Sequence, residues 1–469
     1  MYKLMEKQDQ KKYQLLKYLQ SSVNSTFTMD ELIEQLQLSE AKLSEIIEEL
    51  RLDYRQHYSR EQEENMLQRN NFNKVIKGPN FSVEPFFNIF INRSIHYELA
   101  VSLFYNREIN FEKLVMERQV SHSTVMRYWK HLKTVLNSYN IKVVKEHGSF
   151  ILKGYEEHIR YFFFILFRDS GEKMSSYIKR TDLTFFDDAY TGSSVTQQQL
   201  DEINLFLAIC LIRIKKGFYI EKEPEYFSII NQLYDVNKFL PTFEKFYLNK
   251  LPEASLNKEL YFMYFFICTW TKYDFETVNA VKTYITPDNL DNTLFRLCNN
   301  IIFEASLKNN LHLSPTAFFY LFANLLITIR KNQVFGEIIN ANEEISDMDL
   351  FKLFSNKLPE SFHLQKDISI EQLFMIFYPI FFTSRKNIKI LLLSRFGLEY
   401  ISLLKKKIPL MLNLDVTFVD LLSEEPDLII SDSFYEKEGI PTFYLPPYPN
   451  NKELSRLTEY IYNQMKKRL

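Results

Sequence analysis

Ser123, Arg127, Lys130, His131 and Thr134 fall on one face of a single helical stretch, with Lys133 to the side and Thr124 at its N-terminal end. Hydroxyls, a guanidinium, ammonium groups and an imidazole at that spacing are donors suited to base edges and phosphates in a major groove about 12 Å wide. The opposite face is apolar. Val125, Trp129, Leu132 and Leu136 recur at i, i+4, i+7 and i+11, the stripe of a helix buried on one side. Ser121 is placed to cap this helix, its hydroxyl accepting an amide proton from the first turn. A short helix over Phe111–Arg118 precedes it. Downstream, Ile141–Lys145 and Ser149–Lys153 flank Glu146-His147-Gly148, where Gly148 supplies the positive φ of a tight hairpin. Lys145 and His147 then sit where a wing would touch a nucleic-acid backbone. Short helix, turn, capped basic helix and hairpin spell a winged helix-turn-helix that reads DNA. An ordinary helical hairpin with a solvated cationic face is the competing description, and it leaves the agreement of cap, stripe, face and hairpin unexplained.

At 469 residues the chain is long enough for several domains. Its net charge is only −2, so a nucleic-acid partner must be met by local charge rather than by the whole surface. Three cysteines, Cys210, Cys268 and Cys298, form no CxxC pair and suggest neither a zinc motif nor a disulfide framework. No nucleotide, metal or catalytic signature stands out, so neither a cofactor nor an enzymatic activity is expected. The absence of a signal-peptide apolar region makes a reducing cytoplasm the default. The runs Tyr161–Phe167, Tyr261–Trp270 and Phe374–Phe382 fall short of the ~20 residues a membrane span needs and read as buried helix faces.

A second three-helix pattern opens the chain. A helix around Gln8–Gln20 is followed by Thr28 capping Met29–Gln35, and Ser39 caps a third helix with the stripe Leu43, Ile46, Ile47 and Leu50. Its outward face shows Glu45, Glu48 and Glu49. Residues 1–65 carry nine Lys/Arg against thirteen Asp/Glu, net −4, whereas residues 93–153 carry ten against five, net +5. Carboxylates facing phosphates repel. The second module is therefore expected to be the main reader. The first either adds weak contacts through Lys42, Arg51 and Arg55 or mediates protein contacts. Between them, Gln62–Pro79 is a polar connector or a degenerate wing, and a helix around Ser94–Tyr105 leads into the second module. From about Glu156 to Arg385 the pattern is helical. An echo, Leu211–Gly217 against Leu326–Asn332, offset by 115 residues, suggests two related helical domains. The last 85 residues alternate strands (Asn387–Leu393, Val416–Val419, Leu428–Ser431, Pro441–Leu445) with helices, as in a small parallel α/β domain.

This order of parts resembles the Mga/AtxA family of transcriptional regulators from Gram-positive bacteria. The most specific stretches are Glu112-Lys113-Leu114 through Arg127-Tyr128-Trp129-Lys130-His131-Leu132 and the wing ending Phe150-Ile151-Leu152-Lys153-Gly154. Leu211–Gly217 is similar to a helix end of the phosphotransferase-system regulation domain (PRD). Ile390–Gly397 is similar to the first strand and loop of sugar-transport enzyme IIB. The resemblance implies a mainly α multidomain chain. Its parts are a first helix-turn-helix module (1–82), a second, winged one (83–157), two all-α PRD-like domains (158–275 and 276–385) and a small α/β enzyme IIB-like domain (386–469). It also implies a cytoplasmic regulator, commonly an activator and in some members a virulence regulator, that binds double-stranded promoter DNA. Such a regulator self-associates as a homodimer or larger assembly and answers to a phosphocarrier protein.

Two departures bear on mechanism. Enzyme IIB carries a phospho-accepting cysteine after its first strand, and here Ser394 stands there, a far weaker nucleophile. The helices before the two echoed segments hold no histidine, which leaves His312 and His363 as the candidate phospho-acceptors of the second PRD-like domain. A protein-interaction regulator, or a phosphotransferase component without direct DNA binding, is the alternative function.

Overall fold

The computed structural model describes residues 1–22, 25–57, 68–69, 74–76, 78, 81–171, 196–221, 251–270, 292–309, 311, 313–335, 348–358, 367–383, 388–412, 416–433, 435 and 437–466. They fall into two compact units. The first comprises Met1–Cys298, Phe322–Ser346 and Lys366–Ile368, and the second Asn299–Leu321, Asp347–Gln365 and Ser369–Leu469.

The first unit opens with α1 (Lys7–Ser21), β1 (Thr26–Thr28), α2 (Met29–Leu36) and α3 (Glu40–His57). Thr28 caps α2 by accepting the Glu31 amide at 3.2 Å, and Ser39 accepts the Lys42 amide at 3.3 Å. The stripe Leu43, Ile46, Ile47 and Leu50 is fully buried. The segment expected to be a connector or degenerate wing contains β2 (Gln68–Arg69) and β3 (Lys74–Ile76), paired antiparallel and joined by β1 in the order β1-β3-β2. It is a wing.

Next come α4 (Glu84–Asn92), α5 (Ile95–Phe104), α6 (Phe111–Arg118), α7 (His122–Ser138) and the hairpin β4 (Lys142–Glu146) and β5 (Ser149–Lys153). α4 has no counterpart in the sequence reading, because it is only nine residues long and no capping side chain marks its start at Val83. The two helix-turn-helix corners are built alike. Each has an eight-residue first helix (α2, α6) and a left-handed glutamine, Gln37 at φ 53° and Gln119 at φ 52°. An apolar residue follows (Leu38, Val120), bonded back at 3.3 Å to the carbonyl of Ile33 or Val115, and then a serine cap. Glutamine carries the left-handed strain that glycine would avoid, so neither corner shows a glycine signal.

A buried charge cluster joins the two modules. Lys12 on α1 lies 2.9 Å from both Glu49 and Asp53 of α3, and Arg93, in the turn between α4 and α5, binds Asp9 and Asp53. Burial disfavours the Asp53 charge, yet the bonds from Arg93 and Lys12 hold that carboxyl below its usual range. Removing one partner would strand the others, so the cluster fixes how the modules sit.

The remainder of the first unit is helical: α8 (Glu156–Ser170), α9 (Gln197–Lys215), α10 (Glu253–Trp270) and parts of α11 (Asn292–Lys308) and α12 (Pro315–Phe335). As expected, Tyr161–Phe167 is buried within α8 and most of Tyr261–Trp270 within α10. Four buried charges tie these helices together. Glu156 accepts from Arg160 at 3.1 Å and from Arg213 at 2.7 and 2.8 Å, while Glu259 accepts from Arg160 at 2.5 and 2.8 Å. The echoed segments are not equivalent in place. Leu211–Gly217 closes α9, whereas Leu326–Asn332 lies inside α12, which continues to Phe335. The expected boundary between the two PRD-like domains, at 275–276, lies outside the described residues. Burial pushes the thiols of Cys210 and Cys298 up to about 12. None of the described helices is long and apolar enough to cross a membrane, and no group of described residues is placed to hold a metal ion.

In the second unit α13 (Met348–Lys357) and α14 (Ile370–Thr383) precede an α/β fold of β6 (Ile388–Leu393), α15 (Leu398–Leu412), β7 (Val416–Val419), β8 (Leu428–Ser431), β9 (Thr442–Tyr444) and α16 (Asn451–Lys466). All pairings are parallel, in the order β7-β6-β8-β9. Ile390, Leu392, Leu428 and Ile430 form one buried face with Leu404, Ile408, Leu454 and Ile461 of α15 and α16.

Candidate nucleic-acid interface

α7 is held by its apolar stripe. Val125, Trp129, Leu132 and Leu136 are buried, and Trp129 packs edge-on against Phe111 at 5.6 Å and Phe150 at 4.9 Å. The helix is thereby clamped between α6 and the wing. Its start is fixed by Ser121, whose Oγ accepts the Thr124 amide at 3.2 Å and lies 2.8 and 2.9 Å from the hydroxyls of Ser123 and Thr124. Ser121 and Ser123 are exposed, Thr124 half-buried. Such a network orders the hydroxyls at the end of the helix that a recognition helix presents to base edges.

Arg127 and Lys130 are exposed and stand on the face opposite the stripe. Neither pairs with a carboxylate among the described residues, and the same holds for Lys133 and Lys145. Lys133 is half-buried, its Nζ 5.6 Å from the Trp129 ring. The Arg127 guanidinium stands 5.9 Å from the Tyr128 ring. Thr134 is exposed, but its hydroxyl donates to the Lys130 carbonyl at 3.1 Å.

His131 is exposed like Arg127 and Lys130, but one of its ring nitrogens is already engaged. Its Nδ1 lies 3.0 Å from Nε2 of His96 on α5, whose own Nδ1 is 2.9 Å from the Leu4 carbonyl. A carbonyl can only accept, so Nδ1 of His96 carries the proton and Nε2 accepts from His131. The Nδ1 side of the His131 ring is thus bonded to α5, unlike Arg127 and Lys130.

The wing is a tight hairpin. His147 and Gly148 take φ 49° and 88°, the pair of positive values of a two-residue type I′ turn. His147 and Lys145 are exposed at its tip, with the Lys145 Nζ 5.8 Å from the Phe150 ring. Gly154 closes the hairpin at φ 154°, where an added Cβ would lie 2.7 Å from the Asn140 carbonyl oxygen.

Residues 79–167 match the family model described as the Mga helix-turn-helix domain. The chain carries a Mga helix-turn-helix domain. The match runs from just before α4 into α8, so the Mga domain includes the helix that the sequence reading missed. No curated protein matches the chain. Within the matched stretch, α5 and α7 pack on α8 through Phe104, 4.7 Å from Phe163 and 5.1 Å from Phe167, and through Tyr139 at the end of α7, 5.0 Å from Phe162.

The first module offers a weaker surface beside the Mga domain. Glu45 and Glu48 are exposed on α3 as expected, but each is answered on its own helix, by Lys42 at 2.9 Å and Arg51 at 3.0 Å. Glu49 is not part of that face. It turns to α1, binding Gln8 and Lys12. Arg55 is exposed. His312 and His363 lie outside the described residues.

In the α/β fold, β6 and β8 are neighbours at the point where the chain reverses across the sheet, the crevice in which open parallel sheets bind ligands. Ser394 follows β6 and Asp432 follows β8. The Ser394 hydroxyl donates to Asp432 at 2.5 Å, and the Arg395 amide lies 3.2 and 3.1 Å from the same carboxylate. The chain's own carboxylate thus engages the hydroxyl and amide at this point, a contact across 38 residues that sequence reasoning had no means to find.

Proposed function

We propose that this chain is a DNA-binding transcription regulator in which α7 of the Mga domain enters the major groove of promoter DNA. The observation that carries this reading is the exposed pair Arg127 and Lys130, opposite the buried Trp129 stripe and without carboxylate partners among the described residues. Ser121, Ser123 and Thr124 orient the helix start on the duplex, Lys133 and Lys145 meet backbone phosphates, and His147 approaches from the wing. Lys42, Arg51 and Arg55 add little, because Lys42 and Arg51 have carboxylates of their own to leave.

Activation, rather than repression, follows the resemblance drawn from the motifs. So does control by a phosphocarrier acting on His312 or His363. Self-association is supported by the exposed Phe396, Leu398 and Tyr448 in the second unit. We read the α/β fold as a binding module without phosphotransfer, since the hydroxyl at the acceptor position is committed to Asp432.

The test is fluorescence anisotropy of the full chain on its own upstream region and on random duplex, at several salt concentrations. Arg127→Ala should lose ~1–3 kcal/mol of discrimination between matched and mismatched sites. Lys133→Ala should weaken both equally. Equal losses of discrimination in the two variants would overturn the division of roles, and no binding by wild type at low salt would overturn the reading itself.

A further inference from the structure

A cleft of about 430 Å³ lies between the C-terminal half of α7 and the first strand of the wing, beside the recognition face but not part of it. Lys133, Asn137, Asn140, Lys142, Val143 and Val144 line it. Lys133 and Asn137 stand one turn apart on the same ridge of α7. Asn140, left-handed at φ 57°, swings the chain from the helix into β4, which brings Lys142 into the lining of the cleft. The turn is held from outside by Gly154, whose missing side chain lets the end of β5 approach the Asn140 carbonyl. Two ammonium groups and two carboxamides thus converge on one opening, and none of the described residues lining it is acidic.

The hairpin register sharpens the point. Lys142 stands directly opposite Lys153, a like-charge pair that costs stability in a bare hairpin. Lys153 is answered by Glu146 at 3.1 Å, while Lys142 has no carboxylate among the described residues. The unanswered cation points to an anion from outside. Val144, on the same face of β4 as Lys142, gives the cleft an apolar side that suits a sugar attached to that anion rather than a free inorganic ion, while Val143 packs on the core.

Resting on the DNA reading above, we propose that this cleft seats one phosphodiester of the bound duplex. Lys133 and Lys142 neutralise its charge, the Asn137 and Asn140 side-chain amides donate to its oxygens, and Val144 packs on the deoxyribose. The DNA backbone then passes between recognition helix and wing, which fixes how far α7 penetrates the groove without reading any base.

The experiment is a salt titration of duplex binding by the full chain, comparing wild type, Lys142→Ala and Lys142→Arg. One lost phosphate contact lowers the slope of log affinity against log salt by ~0.9. Lys142→Ala is expected to show that decrease, to weaken matched and random duplexes by the same factor, and to be restored by Lys142→Arg. Adding Asn137→Ala should weaken binding further with little change of slope, since it removes donors but no charge. Methylphosphonate substitution, one phosphate at a time, should reveal a single position at which wild type and Lys142→Ala become equal. An unchanged slope in Lys142→Ala, with wild-type binding intact, overturns the cleft while leaving the DNA reading standing. Failure of wild type to bind any duplex overturns both. Tighter binding of inorganic phosphate than of DNA at equal ionic strength would also overturn the proposal, by making the cleft a free-anion site.

Discussion

Acid should loosen the Mga domain through one buried imidazole. His96 is 3% exposed, donates to Leu4 through Nδ1, accepts from His131 at Nε2, and meets the edge of Tyr128 at 4.8 Å between ring centroids. The ionisable groups around it are His131, Tyr128 and Glu6, the last accepting the Ile95 amide at 3.2 Å. Burial, and then the His131 charge, push His96 down from 6.5 to about 4 against the favourable Leu4 bond. The unfolded chain therefore binds this proton more readily than the folded one. The stabilisation is complete above pH ~6.5 and is lost as pH falls toward ~4. At about 1.36 kcal/mol per unit, the whole window amounts to about 3 kcal/mol, of which about 2 kcal/mol is gone by pH ~5.

The perturbation to compare is His96→Gln, whose amide can donate to Leu4 and accept from His131 without titrating in this range. Native-state hydrogen exchange of α5 and α7, corrected for intrinsic rates, isolates the effect in a multidomain chain. Between about pH 7.5 and 5 the wild-type opening free energy should fall by about 2 kcal/mol more than that of His96→Gln, roughly a thirtyfold difference in opening. Parallel pH dependences in the two proteins would refute the reasoning.

Two further perturbations test the buried polar groups. Glu259→Ala leaves the fully buried Arg160 with half of its carboxylate partners and frees the Ile220 amide; it should cost ~3–5 kcal/mol, read as lost exchange protection in α8 and α10. A change below ~1 kcal/mol would contradict the ion network. Asp432→Ala strips the Ser394 hydroxyl and Arg395 amide of their acceptor and should destabilise the paired central strands β6 and β8 by ~1–3 kcal/mol, visible in the exchange of those strands and absent from the Mga domain.

What the sequence determined was whatever a local period or a single residue's chemistry controls. The Trp129 stripe, the hydroxyl caps at Thr28, Ser39 and Ser121, the Gly148 hairpin and the parallel strands of the last 85 residues all follow from side chains a few positions apart. Each stands in the structure within a residue or two of its expected place. α4 escaped because it is only nine residues long and Val83 at its start offers no capping side chain to announce it.

The tertiary structure decided which charged and polar groups are spent and which are left for a partner. His131 and Arg127 look alike on a helical wheel, yet only the packing of α5 shows that His131 is bound to a histidine 35 residues away. Glu49 left the outward face of α3 because Gln8, 41 residues upstream on α1, claims it together with Lys12. Asp432 engages the Ser394 hydroxyl across 38 residues. Asn137 and Lys142 become one cleft only once the hairpin folds back on α7. A sequence shows which groups can bear charge or donate a proton; which of them still lack a partner depends on contacts between distant segments, and that remainder is what binds.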